Sequence, residues 1–236
     1  MTGEPRRDPF RGIDMTQYPD LETGQGLVNV LQRAAEAAGI DVGTIGTRSK
    51  AEFAGYTSAR IETPRGVIAV NIAVRERRFL VDITQDALHV ASGGTTAVAE
   101  ILELSQLWAS GASYEALNAR FPDLQVSGLA RVLASPDTVA AQWEWLRSAP
   151  EFSDELPLLD AVYADNVLRS YFPDLSHRSI ELCRSFSDRT DSVSITVLGA
   201  GRFRVRACGK DRFEDDYASV EEAVEAARGL LDRHDG

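Results

Sequence analysis

The chain has 236 residues, 44% of them hydrophobic, enough to bury one large core or two small ones without disulfides or metals as staples. Its 25 Lys and Arg against 36 Asp and Glu leave a net charge of −11, which repels phosphate backbones and anionic lipid and argues against nucleic acid and membrane as partners. Cys183 and Cys208 lack CxxC spacing, and no apolar run reaches signal-peptide or membrane-span length, which together predict a reducing, cytoplasmic location.

Residues 1–20 hold Pro5, Pro9, Pro19, Gly3 and Gly12 and no periodicity, so they predict a flexible or draped tail. Leu27, Val30, Leu31, Ala34, Ala35 and Ala38 then repeat at helical spacing up to Gly39, predicting a helix over Glu22 to Ala38. After a loop to about Gly55 the period becomes two. Ala59 and Ile61, then Ile68, Val70, Ile72 and Val74, then Phe79, Val81 and Ile83, then Leu88 and Val90 describe an antiparallel meander.

Gly93 and Gly94 are expected to end the strands, and Thr95 or Thr96 to cap a helix carrying Ala97, Ile101, Leu104 and Trp108. Helices follow from Ser113, from Ser135-Pro136 with Val139, Trp143 and Leu146, and from Pro157 with Leu159, Val162, Tyr163, Val167 and Tyr171. Strands return at Ile180 with Leu182, at Val193, Ile195 and Val197, and at Phe203, Val205 and Ala207, the last two joined by a Gly199-Ala200-Gly201 turn. Ser219 and Glu222 form a capping box before a final helix with Val220, Val224, Ala227 and Leu231 on one face.

This pattern is α+β: two similar halves, each a small antiparallel sheet followed by a packed helix, with a helical connecting segment. The expected boundaries are a tail over 1–20, an N-terminal half over 21–134 and a C-terminal half over 135–236. Arg78-Phe79-x-Val81 recurs as Arg202-Phe203-x-Val205, and seventeen residues after each arginine comes a hydroxyl, Thr95 or Ser219. Phe-Pro-Asp-Leu also occurs twice, at Phe121 to Leu124 and Phe172 to Leu175. Duplication explains these echoes, and so does spacing common to any two sheet-plus-helix units.

Arg202, Arg204 and Arg206 alternate with the inward residues of their strand and so share its outer face, where Arg178 and Arg184 join them if the register allows. Such a cluster holds a carboxylate, a phosphate or an acidic peptide, unless Glu181, Asp211, Glu214, Asp215 and Asp216 balance it as a solvated surface. Trp145 lies two residues from Trp143, on the opposite side of its helix, as an exposed aromatic for a partner or a packing element between the halves. The Gly93 to Thr96 turn has a free helix N-terminus but neither the lysine nor the spacing of a phosphate loop. His177, Cys183 and Cys208 have no metal-ligand spacing, no cofactor motif is present, and no carboxylate stands alone on an apolar stripe where burial would tune it for acid or base work. Catalytic residues are therefore not assigned.

Arg77-Arg78-Phe79-Leu80-Val81, Gly93-Gly94-Thr95 and Trp143-x-Trp145-Leu146, followed by Leu168-Arg169-x-x-Phe172-Pro173, Ser176-His177, Arg184-Ser185, Gly201-Arg202-Phe203-Arg204-Val205 and Glu221-Glu222-Ala223, resemble domain of unknown function family 6193 over about residues 57 to 231. The chain departs from that pattern after Arg184-Ser185, where the family has a shorter, more polar hairpin. Members are usually labelled natural-product biosynthesis proteins. The resemblance implies an accessory or binding subunit beside kinase-like and lyase-like proteins that modify a ribosomally made, lanthipeptide-like precursor peptide. A thioether-forming cyclase of the same pathway is the alternative, and an immunity or toxin-binding protein is a third reading that rests only on acidity and the α+β form.

Overall fold

The computed structural model describes residues 10–24, 26–48, 54–208 and 212–234. The fold is α+β, and the chain divides into two compact units, Met1–Arg131 and Val132–Gly236.

In the first unit, α1 (Pro19–Gly24) and α2 (Leu27–Ala38) lead into β1 (Thr44–Gly46), β2 (Ser58–Thr63), β3 (Gly66–Ile72), β4 (Phe79–Gln85) and β5 (Leu88–Thr95). Then come α3 (Val98–Ala109), α4 (Tyr114–Arg120), β6 (Gln125–Val126) and α5 (Gly128–Leu133), whose last residues open the second unit. The strands form one antiparallel sheet in chain order, β1 to β6. Its buried face carries Ile61, Ile68, Val70, Phe79, Val81 and Ile83, as their alternation predicts, and packs in one core with Leu27 and Leu31 of α2 and Ile101, Leu104 and Trp108 of α3.

The helix expected over Glu22 to Ala38 is broken at Gly26. Its φ is +102°, and a Cβ there would stand 2.7 Å from the Tyr56 Cα. The break turns the first amides of α2 outward, so that Leu27 and Val28 donate to the carbonyls of Tyr56 and Gly55 at 2.9 and 3.0 Å. The helix ends at Gly39, left-handed at φ +65°, as expected. Gly93 and Gly94 lie within β5 and do not end it. They pair with Val81 and Leu80 of β4, so the strand runs on past both to Thr95, and side chains there would collide with the Asp123 carbonyl at 2.6 Å and the Arg78 Nε at 2.5 Å.

Of the segment expected to be a flexible or draped tail up to residue 20, the part from Phe10 onward is draped on the first unit, while residues 1–9 lie outside the described residues. Asp14 caps a 3-10 turn at Met15–Gln17, and its N–H donates to the Val74 carbonyl at 3.0 Å. Tyr18 and Leu21 are fully buried. Their apolar surface, invisible as periodicity in so short a stretch, holds the segment down.

The second unit contains α6 (Thr138–Ser148), α7 (Leu156–Ala164), β7 (Phe172–Ser176), β8 (Ser179–Cys183), β9 (Val193–Gly199), β10 (Arg202–Ala207), β11 (Phe213–Tyr217) and α8 (Val220–His234). Its sheet is again antiparallel and in chain order. Ile180, Leu182, Val193, Ile195, Val205 and Ala207 pack with Trp143, Leu159, Val162, Ala223, Ala227 and Leu231. The cap of α6 is Asp137, which accepts from the Ala140 N–H at 2.9 Å, where Ser135 was expected. The helix from Pro157 stops at Ala164, because Asp165 accepts from the Val167 and Leu168 amides at 2.9 and 3.0 Å and starts a separate 3-10 turn. Of the two Phe-Pro-Asp-Leu stretches, Phe121 to Leu124 follows α4 as a turn, while Phe172 to Leu175 lies in β7. There β7 is the sheet edge, which tolerates the missing N–H of Pro173.

Both units thus run a helix, five sequential antiparallel strands and a helix: α2, β1 to β5, α3 and α7, β7 to β11, α8. The repeated Arg-Phe-x-Val opens the fourth strand of each meander. Phe79 pairs with Ile72 of β3, and Phe203 with Val197 of β9.

Candidate functional site

The alternation of β10 puts Phe203, Val205 and Ala207 on one face of the second sheet and Arg202, Arg204 and Arg206 on the other. Register then decides their neighbours. Arg204 stands opposite Asp216 and Arg206 opposite Glu214 on β11. Arg204 donates to Asp216 at 2.7 and 3.3 Å, and Arg206 to Glu214 at 2.9 Å. The hydrogen bond from Arg204 holds the Asp216 carboxyl below its ordinary range, and Arg202 adds to the positive potential there. All these pairs are exposed and worth little in stability. Arg204 and Arg206 are therefore rungs of a ladder of cross-strand ion pairs with Asp216 and Glu214.

Arg184 follows the end of β8, with β9 between it and β10. Two strand spacings, about 9.6 Å, separate those strands, so Arg184 does not join Arg202 and Arg204. Trp145 is half-buried and packs against the core of its unit. After Ala149 the chain folds back as a 3-10 turn over Pro150–Glu155, and Phe152 meets the indole edge-on with ring centroids 5.3 Å apart. Helix periodicity placed Trp145 away from Trp143 but could not foresee that the next turn covers that side.

Cys183 is buried, and burial, reinforced by Glu181, pushes its thiol up to about 12. Phe186 packs edge-on against Phe172, and Arg189 joins Asp174 at 2.6 Å to Glu181 at 3.1 Å, tying the β8–β9 link to the sheet. Cys208 is exposed. Among the described residues no group of His, Cys, Asp or Glu is arranged to hold a metal ion, and no helix is long and apolar enough to cross a membrane. In the first unit a hollow of about 300 Å³ borders Gly94, Thr95, Arg78 and Arg120, but Arg78 is paired with Asp123 at 3.4 Å and Arg120 doubly with Glu103 at 2.6 and 2.5 Å.

A different feature of the second unit is less balanced. Leu158, Val197, Phe203 and Val220 form the apolar floor of a hollow of about 180 Å³, with Pro157, Asp154, Glu155 and Arg178 around it. Arg178 is placed there by a two-residue β7–β8 turn in which His177 and Arg178 take φ of +49° and +64°, and its carbonyl accepts from the Val197 N–H at 3.0 Å. Leu158 is buried, but Val197, Phe203 and Val220 are each only half-buried. Sequence reasoning had Val197 and Phe203 as ordinary inward residues. Alternation identifies the face a side chain lies on, not whether that end of the face is covered.

Residues 137–232, which contain every residue bordering the hollow, match the model of a family of unknown function, DUF6193. The matched span takes in Trp143 to Leu146 and the later motifs of the resemblance and begins after Arg77 to Val81 and Gly93 to Thr95. No curated protein and no solved structure matches the chain.

Proposed function

We propose that the protein is an accessory or binding subunit of a multi-component complex that modifies a ribosomally made peptide, and that its second unit receives a segment of the precursor peptide or of a partner enzyme. The observation that carries this reading is the hollow over Phe203. It combines half-buried apolar residues, which gain by being covered, with charges at the edge that select what covers them. Such a corner suits an anchor side chain of another chain better than it suits a reaction, since its floor offers no nucleophile, acid or base.

The natural-product setting comes from the family resemblance, and with it the kinase-like and lyase-like partners. The cytoplasm is the compartment that suits two unpaired cysteines. Copurification of the tagged protein with the products of the genes adjacent to its own tests the reading. Retention of a kinase-like or lyase-like protein, or of a short precursor peptide, is the expected result. A strictly monomeric protein that retains none of them overturns it.

A further inference from the structure

We infer that the hollow over Phe203 is a socket for one aromatic side chain of a basic peptide segment, seated as Tyr18 is seated over Phe79 in the first unit. The inference deepens the binding reading and rests on it.

The two meanders supply the template. In the first unit the corner at the start of the fourth strand is filled. The Tyr18 ring meets Phe79 edge-on with centroids 5.8 Å apart. Its hydroxyl sits 2.6 to 3.1 Å from the carbonyls of Ala73, Glu76 and Arg78 and accepts the Arg78 N–H at 2.9 Å. Phe79 is fully buried, and its cross-strand neighbour Ile72 is 7% exposed. Tyr18 comes from the chain that leads into the flanking helices α1 and α2.

At the same corner of the second unit stand Phe203, its cross-strand neighbour Val197, the first residue of α8, Val220, and the start of α7, Pro157 and Leu158. The chain that leads into α7 is the turn Pro150–Glu155. At the hollow it presents Asp154 and Glu155, whose carboxylates belong in water and do not fill an apolar corner. The space left, about 180 Å³, is of the size one ring occupies. An aromatic ring at a concave site is also the side chain that gains most contact for least conformational entropy.

The rim decides the flanking residues. Asp154 and Glu155 oppose the single positive charge of Arg178, and the whole chain carries −11, so a segment with Lys or Arg beside its aromatic residue is steered in and an acidic one is repelled. The β9–β10 link is only Ala200-Gly201, without the three carbonyls that surround the Tyr18 hydroxyl, so phenylalanine fits at least as well as tyrosine.

Fluorescein-labelled pentapeptides, with Phe or Ala between two Lys on each side and a third with Phe between Glu residues, are titrated with the full chain and read by anisotropy. The Phe-Lys peptide is expected to bind about tenfold or more tighter than either control. Val220→Trp places an indole at the rim and should weaken the Phe-Lys peptide about tenfold. Asp154→Asn with Glu155→Gln, both at the edge, should reduce the preference for Lys over Glu flanks severalfold while leaving the Phe-over-Ala ratio in place. That second variant and the peptide series carry the test if Val220→Trp fails to fold by circular dichroism. Equal affinity for the Phe-Lys and Ala-Lys peptides overturns the inference, as does binding unaffected by a folded Val220→Trp. A dimer that Val220→Trp dissociates makes a second copy of the chain the occupant and also overturns it. Copurifying partners that Val220→Trp retains in full leave the subunit reading standing and remove the socket. Phe-selective binding without any copurifying partner supports the socket and removes the complex.

Discussion

In the first unit the fourth strand begins with Phe79, which water does not reach; in the second it begins with Phe203, half-buried beside a hollow. Strand order, flanking helices and the Arg-Phe-x-Val motif are shared, so the difference lies in what the preceding chain does. Tyr18 and Leu21 lay an apolar cover on the first corner, whereas Asp154 and Glu155 leave the second one open. The first unit thus closes this corner with its own chain, and the second does not.

The comparison is open to direct attack. Phe79→Ala should be the most damaging change, removing a fully buried ring at a cost of about 3 to 5 kcal/mol, while Phe203→Ala should cost roughly 1 to 2 kcal/mol. Urea denaturation of the two variants checks this, and equal losses would mean that the corners are equally filled. Tyr18→Phe keeps the ring but strips the hydroxyl from the Arg78 N–H and the surrounding carbonyls, at about 1 to 3 kcal/mol. A neutral result would mean that the ring alone closes the first corner.

A smaller effect is expected in acid. Arg77 donates to both oxygens of Asp20 at 2.8 and 3.0 Å, and that hydrogen bond holds the Asp20 carboxyl below its ordinary 3.8. A depressed carboxylate stabilises the fold above its unfolded value and loses that contribution as pH falls through its folded value. Arg77→Gln should therefore cost about 0.5 to 1 kcal/mol at pH 7, limited because about a third of each side chain is exposed, and less once Asp20 is protonated, when only the Arg77 bonds to the Gln17 and Thr96 carbonyls are left to lose. Denaturation at neutral and strongly acidic pH tests the convergence.

The smallest expected effect leaves stability untouched. A maleimide should label Cys208 rapidly and Cys183 only at the rate of unfolding, because burial suppresses the Cys183 thiolate. Rapid labelling of both would mean that the whole second unit is loose, and that the exposure of Phe203 is not particular to its corner.

Much of this architecture is legible in the residues. Val193-x-Ile195-x-Val197 and Phe79-x-Val81-x-Ile83 each show the period that a half-buried strand imposes, and the Ser113 cap follows from its hydroxyl reaching the Ala116 N–H at 3.2 Å. By contrast β11, Phe-Glu-Asp-Asp-Tyr, and β7, with its proline, show no alternation. They are edge strands, extended because β10 and β8 offer a backbone to pair with. The arginine stripe was legible as a face, but the pairing of Arg204 and Arg206 depends on a register with β11 that no local pattern encodes.

The amino-acid sequence by itself determined the fold class, the two strand-and-helix groupings and the faces on which Arg202, Arg204, Arg206 and Phe203 lie, because these follow from the helical and strand periods of neighbouring residues. Only the tertiary structure decided that Trp145 is covered by Phe152, that Arg204 and Arg206 meet Asp216 and Glu214, and that Tyr18 closes one corner while its counterpart stays open. Each of those outcomes depends on which parts of the chain meet in space, and a meeting between residues 18 and 79 leaves no mark in the spacing of either.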